Sequence, residues 1–120
     1  MASLPVPRSI FLTVDATTAG TWTRILPKLY CNGTIDSIVI NRTVGLAATC
    51  DIRIAYEQNI INPVDAVYIT NGASIAPLFT DVLDPAQVFD GNRKDGLWLY
   101  LDPNANSTYE IRIDMHLNQN

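Results

Sequence analysis

Between Tyr109 and His116 every odd position is apolar (Tyr109, Ile111, Ile113, Met115) and every even position is charged or polar (Glu110, Arg112, Asp114, His116). Side chains of an extended strand point alternately to its two faces, so a period of two predicts a strand with one dry and one wet face. The strand is expected over Thr108 to Leu117. Ile10, Leu12 and Val14 set against Ser9, Thr13 and Asp15 predict another, with Phe11 on the polar side. Cys50, Ile52, Ile54 and Tyr56 alternate in the same way with Asp51, Arg53 and Glu57. Thr34 to Thr43 carries Ile38 and Ile40 on one face and Ile35 and Val39 on the other, the pattern of a central strand covered on both sides. A hairpin is expected between this strand and the one ending at Tyr56. Leu97, Leu99 and Leu101 alternate with Trp98 and Tyr100, so that strand is apolar on both faces.

Punctuation between these runs sets the architecture. Trp22 to Tyr30 is interrupted by Pro27, which makes it an edge strand or a bulged one, and Ser74 to Phe79 by Pro77, which demotes it to a sheet edge. Asn32-Gly33 and Asn71-Gly72 are turn signals, the second closing a strand over Val64 to Thr70. Glu57 to Pro63 is a connector, and Asp84-Pro85-Ala86-Gln87 is expected to start one helical turn, with Asp84 as N-cap. The sum is an all-β domain, a β-sandwich or jelly-roll-like fold of seven or eight short antiparallel strands. Pro5 and Pro7 oppose regular pairing, so residues 1–7 are expected to form an extended arm and residues 8–120 a single domain. If the last two strands paired, the edge of an interface would run between the aromatic face of one and the wet face of the other.

Composition narrows the function. The chain has 120 residues, a formal net charge of −4 and 17% charged residues, below the quarter usual for soluble domains. A low charge fraction points to surface covered by a partner or by copies of the same chain. The eight basic residues form no stripe, so neither nucleic acid nor an anionic membrane is an expected partner. No apolar run approaches a membrane span, and the N-terminus lacks the regions of a secretory signal, so synthesis in a cytoplasm is expected. There Cys31 and Cys50 read as free thiols.

Candidate chemistry is sparse. The single histidine, His116, lies on the wet face of the last strand, and no nucleophile elbow or phosphate loop occurs, so an enzyme is not expected. Asp90, Asn92 and Asp95 lie in an oxygen-rich loop, but Arg93 and Lys94 place positive charge inside it. It reads as a surface turn rather than a calcium site, and no cofactor is expected. Asn32-Gly33-Thr34, Asn41-Arg42-Thr43 and Asn106-Ser107-Thr108 match the glycosylation triplet and are read as turn and strand chemistry. Phe11, Trp98 and Tyr100 stand on strand faces opposite the core and are the candidate interface residues.

Four segments carry a resemblance: Trp22-Thr-Arg-Ile-Leu-Pro27, Asp36-Ser-Ile-Val-Ile-Asn41, Asp51-Ile-Arg-Ile-Ala-Tyr56 and Lys94-Asp-Gly-Leu-Trp-Leu-Tyr100. Their order resembles that of small β-sandwich structural proteins in the virions of tailed bacteriophages. Asp95-Gly96 reverses the group's usual glycine–acid order. The resemblance implies a capsid decoration (cement) protein located on the virion surface, a homotrimer bound to the major capsid protein. In that picture Phe11, Trp98 and Tyr100 make subunit contacts, and Leu4, Pro5, Val6, Pro7 and Arg8 reach onto neighbouring capsid subunits. The alternative is a carbohydrate-binding or adaptor module of a tail fibre.

Overall fold

The computed structural model describes residues 5–29, 31–45, 48–56, 66–93 and 96–118. These contain eight strands: β1 (Pro5–Ala16), β2 (Thr21–Leu26), β3 (Asn32–Gly45), β4 (Ala48–Ala55), β5 (Ala66–Ile75), β6 (Leu78–Asp90), β7 (Leu97–Pro103) and β8 (Ser107–Asn118). They form two antiparallel four-stranded sheets, ordered β1-β8-β3-β6 and β2-β7-β4-β5. The ladders nest: β1 pairs with β8, β2 with β7, β3 with β6 and β4 with β5. One long hairpin rolled over on itself gives this order, with the further pairs β3–β8 and β4–β7 closing each sheet. That is the jelly-roll topology.

The two sheets bury one apolar layer. β8 contributes Tyr109, Ile111, Ile113 and Met115, all nearly inaccessible, as its period of two predicts. Facing them from the other sheet are Ile52, Ile54, Leu97, Leu99 and Leu101. Each such aliphatic side chain removed from water contributes roughly 1.5–3 kcal/mol, the main favourable term in a fold without long helices.

Five local expectations are corrected by the structure. β3 and β4 form no hairpin, because they belong to different sheets and the chain crosses over between them. Ile35 lies on the same face as Ile38 and Ile40. A bulge between Ile35 and Ser37 inserts one extra residue and shifts the phase, so all three are fully buried while Val39 faces outward. Asn71-Gly72 is not a strand end: β5 continues to Ile75, and the pair forms a bulge opposite Asp51, whose carboxylate accepts the Gly72 N–H at 2.8 Å. Gly72, with φ of +65°, takes up the left-handed backbone. Asn32-Gly33 likewise lies inside a strand, paired on both sides. Asp84 to Gln87 forms no helical turn. Residues 83–86 bulge from β6 opposite Asp36, and pairing with β3 resumes at Gln87.

The N-terminal segment also differs from a free arm. Pro5 to Arg8 continue β1 along β8, opposite Asn118, Leu117, His116 and Met115. β1 is an edge strand, where a missing N–H can face solvent, so proline does not end the pairing. Leu4 and the connector at 57–63 lie outside the described residues.

Candidate functional site

Because β7 and β8 sit in opposite sheets, the aromatic face of one and the wet face of the other lie on opposite sides of the molecule. The expected boundary between them therefore does not exist, and each outer face has its own chemistry.

On the outer face of β2-β7-β4-β5 the aromatic residues are tied to one another. Trp22 and Tyr100 are cross-strand partners with ring centroids 4.8 Å apart. The Arg24 guanidinium lies 4.8 Å over the Trp98 ring. Arg53, opposite Tyr100, donates from Nη2 to Asn71 Oδ1 at 2.6 Å. Tyr100 is only 9% exposed, and the turn at Gly20 packs directly on its ring, so a side chain at Gly20 would collide with it. Trp98 is half-buried, and its indole N–H has no hydrogen-bond partner among the described residues. Two of the three candidate interface residues are thus packed within their own sheet, while Phe11 stands 74% exposed on the opposite side.

The outer face of β1-β8-β3-β6 is built in level rungs. Phe11, Arg112, Val39 and Thr80 form one; Thr13, Glu110, Asn41 and Leu78 the next; Ser9, Asp114, Ser37 and Val82 lie on the other side; and Pro7, His116, Thr34 and Val88 follow. Its two rims are apolar: Phe11 on β1, then Leu78 (57% exposed), Val82 and Val88 (both 73%) on β6. The β6 residues were not among the sequence candidates. Leu78, Thr80 and Val82 do alternate with Phe79, Asp81 and Leu83, but apolar residues on both faces and two prolines hid the strand.

A polar midline separates the rims. Asp114 accepts from Ser9 Oγ and Ser37 Oγ, both at 2.7 Å, and from Arg112 Nε at 3.2 Å. The Ser37 and Ser9 hydroxyls, with Arg112 alongside, hold its carboxyl below the usual carboxylate range. His116 Nδ1 contacts Asp36 Oδ2, and Thr34 Oγ1 donates to Asp36 Oδ1 at 3.1 Å. A histidine held by a carboxylate is part of a hydrolase triad, but both neighbouring serine hydroxyls are committed to Asp114 rather than to His116. Beside Phe11 the face dips into a shallow groove of about 360 Å³, walled by Thr13, Val39, Asn41, Glu110 and Arg112.

The other sequence candidates are placed as follows. Val6, Pro7 and Arg8 are exposed at the start of β1. Asp90 Oδ1 accepts the Asn92 N–H at 2.9 Å, the Asp90 N–H donates to the Tyr56 hydroxyl at 3.0 Å, and Arg93 covers the Tyr56 ring at 4.4 Å. These contacts hold a turn together, and Asp95 lies outside the described residues. Among the described residues no three His, Cys, Asp or Glu side chains are grouped so as to hold a metal ion. Cys31 and Cys50 are free, the first half-buried and the second enclosed.

No family model and no curated protein matches the chain. Among solved structures it is similar to a chain of the viral particle of infectious bursal disease virus, with a TM-score of 0.48 and 10% identity over 97% of this chain and 31% of that one. The VP2 protein of the same virus in T=1 particles gives 0.48 and 10%, over 97% and 32%. A chain of the capsid asymmetric unit of cyanophage Pam1 gives 0.43 and 9%, over 100% and 88%. The chain spans about a third of the length of the two infectious bursal disease virus chains. Identities near a tenth and TM-scores below 0.5 do not carry a role from one protein to another.

Proposed function

We propose that this chain is a structural virion protein, and specifically a capsid decoration (cement) protein that stabilises a phage head through protein–protein contacts. Its partners in this reading are further copies of itself, as a homotrimer, and the major capsid protein. The observation that carries the reading is the outer face of β1-β8-β3-β6, where four large apolar side chains stand in water on the two rims. A patch of that kind, rimming a polar midline, marks a surface that docks on protein. The bacteriophage resemblance of the four strand segments and the low charge fraction support the same role.

The test uses purified chain and heads of the phage that encodes it, stripped of the protein. The expected result is co-sedimentation at a fixed ratio and slower loss of packaged DNA on heating. The triple variant Phe11→Ser, Val82→Ser, Val88→Ser should remain folded by circular dichroism and bind at least about tenfold more weakly, as removal of buried apolar area requires. A wild-type chain that stays in the supernatant overturns the proposal.

The groove beside Phe11 favours a second reading, a carbohydrate-binding module. It supplies an aromatic face together with the amide of Asn41, the carboxylate of Glu110 and the guanidinium of Arg112. A glycan panel giving a hit that Phe11→Ala abolishes would support it; a blank panel removes it.

A further inference from the structure

We infer that copies of this chain join edge to edge, β1 of one laid antiparallel against β6 of the next, so that the β1-β8-β3-β6 sheet continues from subunit to subunit. The inference rests on the reading of the chain as self-associating and supplies the contact. Among the described residues β1 pairs only with β8 and β6 only with β3, which leaves both outer edges without a backbone partner. Such an edge is a template for another strand. Three successive antiparallel pairings make β1 and β6 antiparallel to each other. A second copy set beside the first in the same orientation therefore presents its β1 to β6 in the correct direction.

The rungs then decide what meets what. With the two copies level, Phe11 of one stands opposite Thr80 of the next, with Leu78 and Val82 as its diagonal neighbours on the same face. Diagonal neighbours in a ladder lie within reach of an aromatic ring. Pro7 comes opposite Val88 on that face, so the two apolar rims become one continuous strip. Behind it, half-buried Leu12 meets half-buried Phe79.

The charges also match. Arg8 lies level with Gln87, and Ser9 with Val82, so the bulge at residues 83–86 falls between these levels. Asp84, in that bulge, is exposed, as is Arg8 on β1, and among the described residues no ion pair engages either side chain. Edge pairing brings them together. Two-fold pairing of β1 with β1, or of β6 with β6, would not join Arg8 to Asp84 across the same seam. The prolines confine the backbone pairing to Ser9–Thr13 against Leu78–Val82, a short ladder suited to a ring of separate subunits. A head-to-tail contact of this kind closes into a ring when its rotation permits.

Charge reversal tests the contact. By light scattering, Arg8→Glu alone and Asp84→Arg alone should each weaken the oligomer at least about tenfold, and the double reversal should return it to within about threefold of wild type. As a measurement independent of charge, Phe11→Cys with Thr80→Cys in one chain should oxidise to a covalent oligomer, whereas either cysteine alone should not. A wild-type oligomer indifferent to both reversals, or Phe11→Cys alone giving a covalent dimer, overturns edge pairing while leaving head binding intact. Edge pairing demonstrated in a chain that ignores phage heads supports this inference and removes the cement role instead. A strict monomer at about millimolar concentration overturns the inference outright.

Discussion

Cys50 is fully enclosed between the sheets, and burial, with Asp102 and Asp51 nearby, pushes its thiol up to about 11. A raised pKa means that the folded state holds the proton more tightly than the unfolded one. The associated stability is complete below the unfolded thiol's pKa, near 9, and is lost as pH rises from there to about 11. We expect a decline of up to about 2–3 kcal/mol across that window in urea titrations, absent in Cys50→Ala. Asp114 has the opposite sign. Its depressed carboxyl contributes stability above the unfolded carboxylate pKa and loses it as pH falls through the lower, folded value. Asp114→Asn keeps the shape but removes the charge that Ser9 and Ser37 bond to. Roughly 1 kcal/mol should disappear at neutral pH for this partly exposed group, with a flatter acid limb in the same titration. Gly33 is set by close approach: a Cβ there would lie 2.6 Å from Cζ of Phe89. Gly33→Ala should lower stability by about 1–3 kcal/mol through overpacking, measurable as a shift in urea midpoint.

At the scale of the strand, the bulge in β3 fixes which side chains are core. Deleting Asp36 would remove the extra residue, so that Ile35, Ser37 and Ile38 followed Met115, Asp114 and Ile113 in strict alternation with Ile35 still facing the core. A chain that keeps dispersed amide signals in an NMR spectrum, and loses only about 1–2 kcal/mol with the Asp36 contacts to Thr34 and His116, is the expected outcome. The same bulge marks the limit of what patterning alone reveals. β8 was legible because its period of two is unbroken from Tyr109 to Met115. β3 and β6 were legible as extended chain but not in phase, since one inserted residue in β3 and four in β6 depend on the partner strand. Asn71-Gly72 fits a turn and a bulge equally well, and only the carboxylate of Asp51 selects the bulge. Phe11 was visible as a candidate because it interrupts a polar face. Val82 and Val88 were not, because their exposure follows from the register across β3.

For the whole molecule, the nested ladders set the folding problem. The outermost pair joins Pro5 to Asn118, so much of the sheet forms only after chain segments far apart in sequence have met. Such topologies fold on the scale of milliseconds to seconds, and stopped-flow refolding is expected in that range rather than in microseconds. Sequence pattern fixed the class of fold but not this pairing, since alternation says which face is dry and nothing about which strand lies beside it. Deleting residues 2–8 also carries a structural cost, because it strips four rungs from β1. Loss of head binding in that deletion must therefore be compared with its loss of stability.

The pairing of Pro5 with Asn118 means that the first and last strands run side by side as an antiparallel pair, about 5 Å apart. Seen this way, the backbone from Pro5 to Asn118 traces a nearly closed loop. A short added linker between Pro5 and Asn118 would join these strands, and new ends placed in the exposed turn between Thr17 and Thr18 would interrupt no ladder. A permuted chain of that kind should fold to the same two sheets. Peptides fused at the original ends would emerge together from one end of the sandwich, away from the ends of a permuted chain at the other.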